Sequence, residues 1–147
     1  MYFREAVQRI LAADAGVSAI VGTRIHRFKL LQTTPLPAIC FFVTGCSTDV
    51  TMAFEERAHD ESAEWRFRVM SEADEDTVER LDEAVRLALH GWHGTAENDS
   101  SPIETLGIQG FFSENVRDSY DDVTRTPVII RDFVVRAAES RPQPLGE

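Results

Sequence analysis

Two segments of this chain, residues 38–44 and 127–138, are apolar on both parities of an extended strand, and that constrains the fold more than any other feature. In the first, Ile39, Phe41 and Val43 point one way and Cys40 and Phe42 the other; in the second, Val128, Ile130 and Val134 alternate with Ile129, Phe133 and Val135. Successive side chains of a strand project to opposite faces, so such a segment needs cover on both. A sheet backed by helices on one side supplies only half of it. The sequence therefore predicts that part of the second face is buried against another subunit.

Between these segments Trp65, Phe67 and Val69 alternate with Glu64, Arg66 and Arg68, the clearest period-two signal in the chain. Helical spacing appears twice. Phe3, Val7, Ile10 and Leu11 share one face of an opening amphipathic helix that should end near Asp14 to Gly16, and Val78, Leu81, Val85 and Leu89 form the buried stripe of a long helix. Glu79, Arg80, Asp82, Glu83 and Arg86 are placed mostly on that helix's solvated side. Ser71 with Asp74 resembles a capping box at its start, and Gly91 or Gly94 ends it.

The remaining segments read as connections. Residues 17–21 make a short turn closed by Gly22, residues 24–30 an irregular or edge strand, residues 45–60 a long polar hairpin loop, and residues 94–102 a loop rich in Asn, Asp, Ser and Thr. A strand lies within 106–116, a turn within 118–126, and the last eight residues, with two prolines, read as a mobile tail. The expected fold class is α+β, a mostly antiparallel sheet of four to five strands packed on two helices, as a single domain over 1–139 with a C-terminal tail over 140–147.

At 147 residues, 43% of them hydrophobic, one packed domain is the expectation. No apolar stretch approaches the ~20 residues that span a bilayer, and the N-terminus lacks a signal-peptide core, so a cytosolic product and no membrane partner are expected. Cys40 and Cys46 share parity on one strand about 20 Å apart, beyond disulfide reach unless Gly45 folds the strand back. The formal charge of -10 disfavours a surface that grips nucleic-acid phosphates. It is also uneven: residues 1–48 carry five basic and two acidic groups, residues 49–104 five and sixteen. That polarity serves solubility, or electrostatic complementarity between neighbouring copies.

Chemistry is sparse. His90 and His93 are spaced to approach one metal, but two ligands are not a site, and histidines near a helix C-terminus suit the dipole anyway. Cys40 lies between Ile39 and Phe41, a packing position and not that of a nucleophile. The acidic set Glu72, Asp74, Glu75 and Asp76 is explained by a capped helix start. No GxGxxG, Walker, GxSxG or HExxH pattern occurs. No catalytic residue, cofactor site or metal site is assigned. Arg66 and Arg68 belong to a solvated face, or meet acidic residues of the same or a neighbouring chain. The candidate subunit interface is Phe42, Arg66, Arg68, Val128, Ile130 and Val134.

The order of segments resembles the bacteriophage tail terminator, or tail completion, family. Four stretches carry it: the opening helix through Leu11-Ala12-Ala13-Asp14 into Val21-Gly22-Thr23-Arg24-Ile25; the strand start Pro37-Ala38-Ile39; Trp65 to Val69 passing into the acidic-capped helix that ends Leu87-Ala88-Leu89; and the Tyr120-Asp121 turn before Val128 to Val135. The resemblance implies a structural protein without enzymatic activity or cofactor, forming a ring, commonly of six, on the head-proximal end of a tail tube. Such a ring stops tail polymerisation and offers the surface for head or neck attachment. The implied partners are further copies of the chain, the tail tube protein and a head or neck completion protein, with DNA passing through unbound. The implied location is the virion tail, after assembly in the host cytoplasm. The candidate tube-contacting element is the polar loop 48–59, with Thr48, Asp49, Glu55, Glu56 and Arg57, because long loops in compact domains are often functional. Two alternatives stand beside this reading: a neck or head-completion protein, and a small cytosolic ligand-binding or enzymatic α+β domain.

Overall fold

A computed structural model describes residues 1–30, 34–50 and 60–140. The chain opens with α1 (Phe3–Ala13) and α2 (Ala15–Val21), then β1 (Ile25–Arg27), β2 (Ala38–Val50), β3 (Asp60–Glu72), α3 (Glu75–Leu89), β4 (Gly94–Glu97), β5 (Thr105–Asp121) and β6 (Thr126–Ser140). The strands form one curled six-stranded sheet in the order β1-β2-β3-β6-β5-β4. All neighbours are antiparallel except β1, which runs parallel to β2.

This corrects the expected fold class. Among the described residues there are six strands and three helices, not four to five strands on two helices, and the sheet is mixed. The differences have local causes. The expected turn at 17–21 is a seven-residue helix, because Asp14 accepts the Val17 N–H at 3.0 Å and caps it, while Gly22 at φ 60° ends it. The polar stretch after Gly94 contains β4, whose exposure at the sheet edge leaves only Ala96 buried and so removes the apolar signal. The expected long loop from Gly45 is strand as far as Val50, with a bulge between Val43 and Gly45 that shifts the register against β3. Ser71 lies inside β3. The cap of α3 is Asp74 itself, accepting the Thr77 N–H at 2.8 Å.

The core lies between one sheet face and the helices. Phe67 is its centre, stacked on Phe133 at 5.3 Å and meeting Phe111 and Phe3 edge-on at 5.8 and 5.5 Å. Phe3 also stacks on Trp65 at 4.5 Å, so α1 is pinned to β3 by one ring between two. Burial of each such ring contributes roughly 1.5–3 kcal/mol. The expected stripe of α3, Val78, Leu81, Val85 and Leu89, is buried.

Asp82 joins that stripe, which corrects its placement on the solvated side. It forms a bidentate pair with Arg131 of β6 at 3.0 and 2.8 Å, and Arg131 donates a further bond to the Ser113 hydroxyl of β5 at 2.8 Å. Both side chains are about nine-tenths buried, at 10% and 12% exposure. One ionic clamp thus ties α3 to two strands.

Candidate assembly face

The sheet face opposite the helices collects the positions predicted for a subunit interface. Cross-strand partners share a face, and the register aligns Phe42, Arg68 and Asp132 across β2, β3 and β6. One row along, Arg66, Val134 and Phe112 align across β3, β6 and β5; in the next, Met70, Ile130 and Arg117 do. Phe42, Arg66, Arg68, Val128, Ile130 and Val134 therefore occupy one continuous surface. Their exposure differs. Phe42, Arg68, Ile130 and Val134 are half-buried and Arg66 exposed, whereas Val128 is buried within its own chain and offers little to a neighbour.

The two arginines are committed inside the chain. Arg68 donates from Nε to Asp132 Oδ1 at 2.8 Å and lies with its guanidinium 6.0 Å from the centre of the Phe42 ring. Arg66 meets Glu114 at 2.6 Å and Glu64 at 3.8 Å. Of the readings open for this pair of cations, the structure shows the same-chain one. Arg66 and Arg68 are consequently neutralised with apolar side chains between them, exposed Arg117 has no ion pair among the described residues, and Phe112 on this face is 55% exposed. The paired part of such a surface costs little to desolvate relative to one bearing unpaired ions.

At one end of this face Glu72 departs from the helix-capping role expected of it: it is the last residue of β3, not part of the α3 start, and it joins a cluster on the β5–β6 turn. The Glu72 carboxyl accepts the hydroxyls of Thr124 and Thr126, both at 2.8 Å, and meets Asp121 of the β5–β6 turn. Burial, together with Asp121, raises the Glu72 pKa. The amide of Val123 and the proton that Glu72 shares hold Asp121 below the usual carboxylate range. Cys40, nearby on β2, is buried, which with the charge of Glu72 raises its thiol pKa to about 11. It remains a protonated thiol at neutral pH, poorly suited to nucleophilic attack. The sequence signal available was the position of Glu72 within an apolar-flanked strand, facing the turn that joins β5 to β6.

The other expected positions fall as follows. Thr48 and Asp49 are strand residues of β2, paired with Ala63 and Ser62, and not loop residues; Glu55, Glu56 and Arg57 lie outside the described residues. His90 is the C-cap of α3, its Nδ1 accepting the Ser113 N–H at 3.1 Å, and His93 is exposed beyond it. Among the described residues no three metal-ligating side chains converge. Cys40 is a buried free thiol and Cys46 is exposed. Residues 141–147 of the expected tail lie outside the described residues, and β6 runs to Ser140.

The fold is similar to that of a chain in the virion of a native gene transfer agent (GTA) particle, with a TM-score of 0.63 and 18% sequence identity, over 92% of this chain and 94% of that one. At that identity the likeness is one of fold. No protein-family model matches the sequence, and no curated protein does.

Proposed function

We propose that this chain is a structural subunit of a phage-like virion, and within it the tail terminator: a ring, commonly of six, that caps the head-proximal end of the tail tube, stops its growth and offers the surface to which the head or neck attaches. The observation that carries the reading is the match of fold over nearly the whole length of both chains to a component of an assembled particle. The half-buried apolar residues on the sheet face away from the helices support it, since a face of that kind is stabilised by a further subunit. The reading contains no catalytic step, and its partners are further copies, the tail tube protein and a head or neck completion protein.

The test is mass measurement of the purified chain alone and with tail tubes, with electron microscopy of the tubes. The expected outcome is a ring-sized species seated at one tube end and tubes that no longer elongate. A chain that stays monomeric and has no affinity for tubes would refute the proposal. Capture by a portal or adaptor ring in place of the tube would assign the chain to the head side, as a neck or head-completion protein. Deletion within residues 48–59 tests their tube contact separately: tails of normal length would remove that role.

A further inference from the structure

β1 ends in a turn that pushes an aromatic ring into solvent. Phe28 adopts φ 73°, a left-handed conformation that a bulky side chain rarely takes, while its N–H remains bonded to the Phe41 carbonyl at 2.9 Å. The side chain is 62% exposed. It is flanked by Arg27 and Lys29, and the Arg4 guanidinium stands 5.0 Å from its ring centre. Among the described residues no carboxylate lies within ion-pair distance of Arg4, Arg27 or Lys29. The result is an aromatic knob bearing three cations without a carboxylate partner among the described residues, held in a left-handed backbone that only Arg125 shares among their non-glycine positions.

The helical side of the molecule carries a feature of opposite character. α2 and α3 diverge over an open groove of about 600 Å³, floored by Ile20, Ala84 and Leu87. Leu87 is 67% exposed, the one large apolar side chain on the outer surface of an otherwise polar helix. The rim holds Asp14, Glu79, Arg80 and Glu83; Glu83 is paired with Arg86 and Asp14 caps α2, which leaves the Glu79 carboxylate to meet a cation from outside. Knob and groove are thus complementary twice over, in apolar contact and in charge. They occupy different parts of one chain.

We propose that the Phe28 knob of one copy seats in the α2–α3 groove of the next, with Phe28 against Leu87 and Ile20, and Arg27 and Lys29 facing Glu79. This rests on the assembly reading above and names the surfaces that would carry it. A contact between two different patches is heterologous, so each copy has one free knob and one free groove, and the contact repeats head to tail until a ring closes. An aromatic anchor beside cations, set in a pocket of opposite charge, is the kind of pairing that concentrates binding energy in few residues.

The experiment uses two full-length variants, Phe28→Asp and Leu87→Lys, followed by sedimentation velocity and circular dichroism. Asp tolerates the left-handed backbone at 28, and Lys suits the last turn of a helix at 87, so both are expected to fold as wild type. Each places a repelling charge in the contact. Each alone is expected to associate at least about tenfold more weakly than wild type. An equimolar mixture is expected to form one-to-one dimers and no ring, because the intact knob of the Leu87→Lys chain meets the intact groove of the Phe28→Asp chain and the other two halves stay blocked. Arg27→Glu and Glu79→Arg form a second pair should either first variant misfold. Variants that assemble like wild type, or a mixture that stays dissociated, would overturn the seat. If those variants also cap tail tubes, the seat fails while the terminator reading stands; a wild-type chain that neither self-associates nor binds tubes overturns both.

Discussion

Glu72 shows how one side chain couples the fold to pH. Burial and the adjacent Asp121 favour its protonated form, so its folded pKa lies above that of the unfolded chain. A group shifted in this direction contributes its stability in full below the unfolded value, about 4.3, and loses it as pH rises through the folded value. Asp121 is shifted the opposite way, so its contribution is present above its ordinary value and lost on acidification. The pair is most favourable between, with one proton shared. Glu72→Gln keeps an acceptor for Thr124 and Thr126 and a permanent donor toward Asp121. It is expected to raise stability at pH 7 by about 1 kcal/mol, the scale of one hydrogen bond, with the gain vanishing near pH 4. Thermal denaturation of both proteins across that range measures it; an unchanged or lowered midpoint at pH 7 would contradict the assignment.

Among the elements, α3 is the one whose position depends on a polar contact. Its stripe of Val78, Leu81, Val85 and Leu89 was readable from 3.6-residue spacing, because a helix that packs on a sheet must present such a stripe. Asp82 was not readable as part of it. It lies four residues after Val78 and so on the same face, but a charged residue is buried only where a partner waits, and that partner sits 49 residues away on β6. Asp82→Ala is expected to destabilise the chain by about 3 kcal/mol by leaving Arg131 buried and unpaired, whereas Asp82→Leu with Arg131→Met should recover most of the loss. Chemical denaturation of the single and double variants checks both. Full additivity of the two substitutions would show that the clamp is not a coupled pair.

At the scale of the molecule, charge and apolar surface are distributed together. The basic N-terminal third includes the Phe28 knob, and the acidic middle includes α3. Association that depends on this polarity should weaken as salt is raised from about 0.05 to 0.5 M, since screening shortens to a few ångströms over that range. Sedimentation at the two ionic strengths distinguishes it from association by the sheet face alone, where Arg66 and Arg68 are already paired within the chain and salt should have a smaller effect.

Composition and periodicity by themselves determined the long amphipathic helices, the strand through Trp65, Phe67 and Val69, the antiparallel hairpins on either side of α3, and the presence of apolar residues on two faces. Each is a local pattern imposed by burial on a regular backbone. Only the tertiary structure decided the parallel β1 edge, the short polar β4, the burial of Asp82 and Glu72, and the neutralisation of Arg66 and Arg68 by Glu114 and Asp132. These depend on which distant residue arrives opposite, and hydrogen-bonding edges and ion pairs leave no period in the sequence that would announce it.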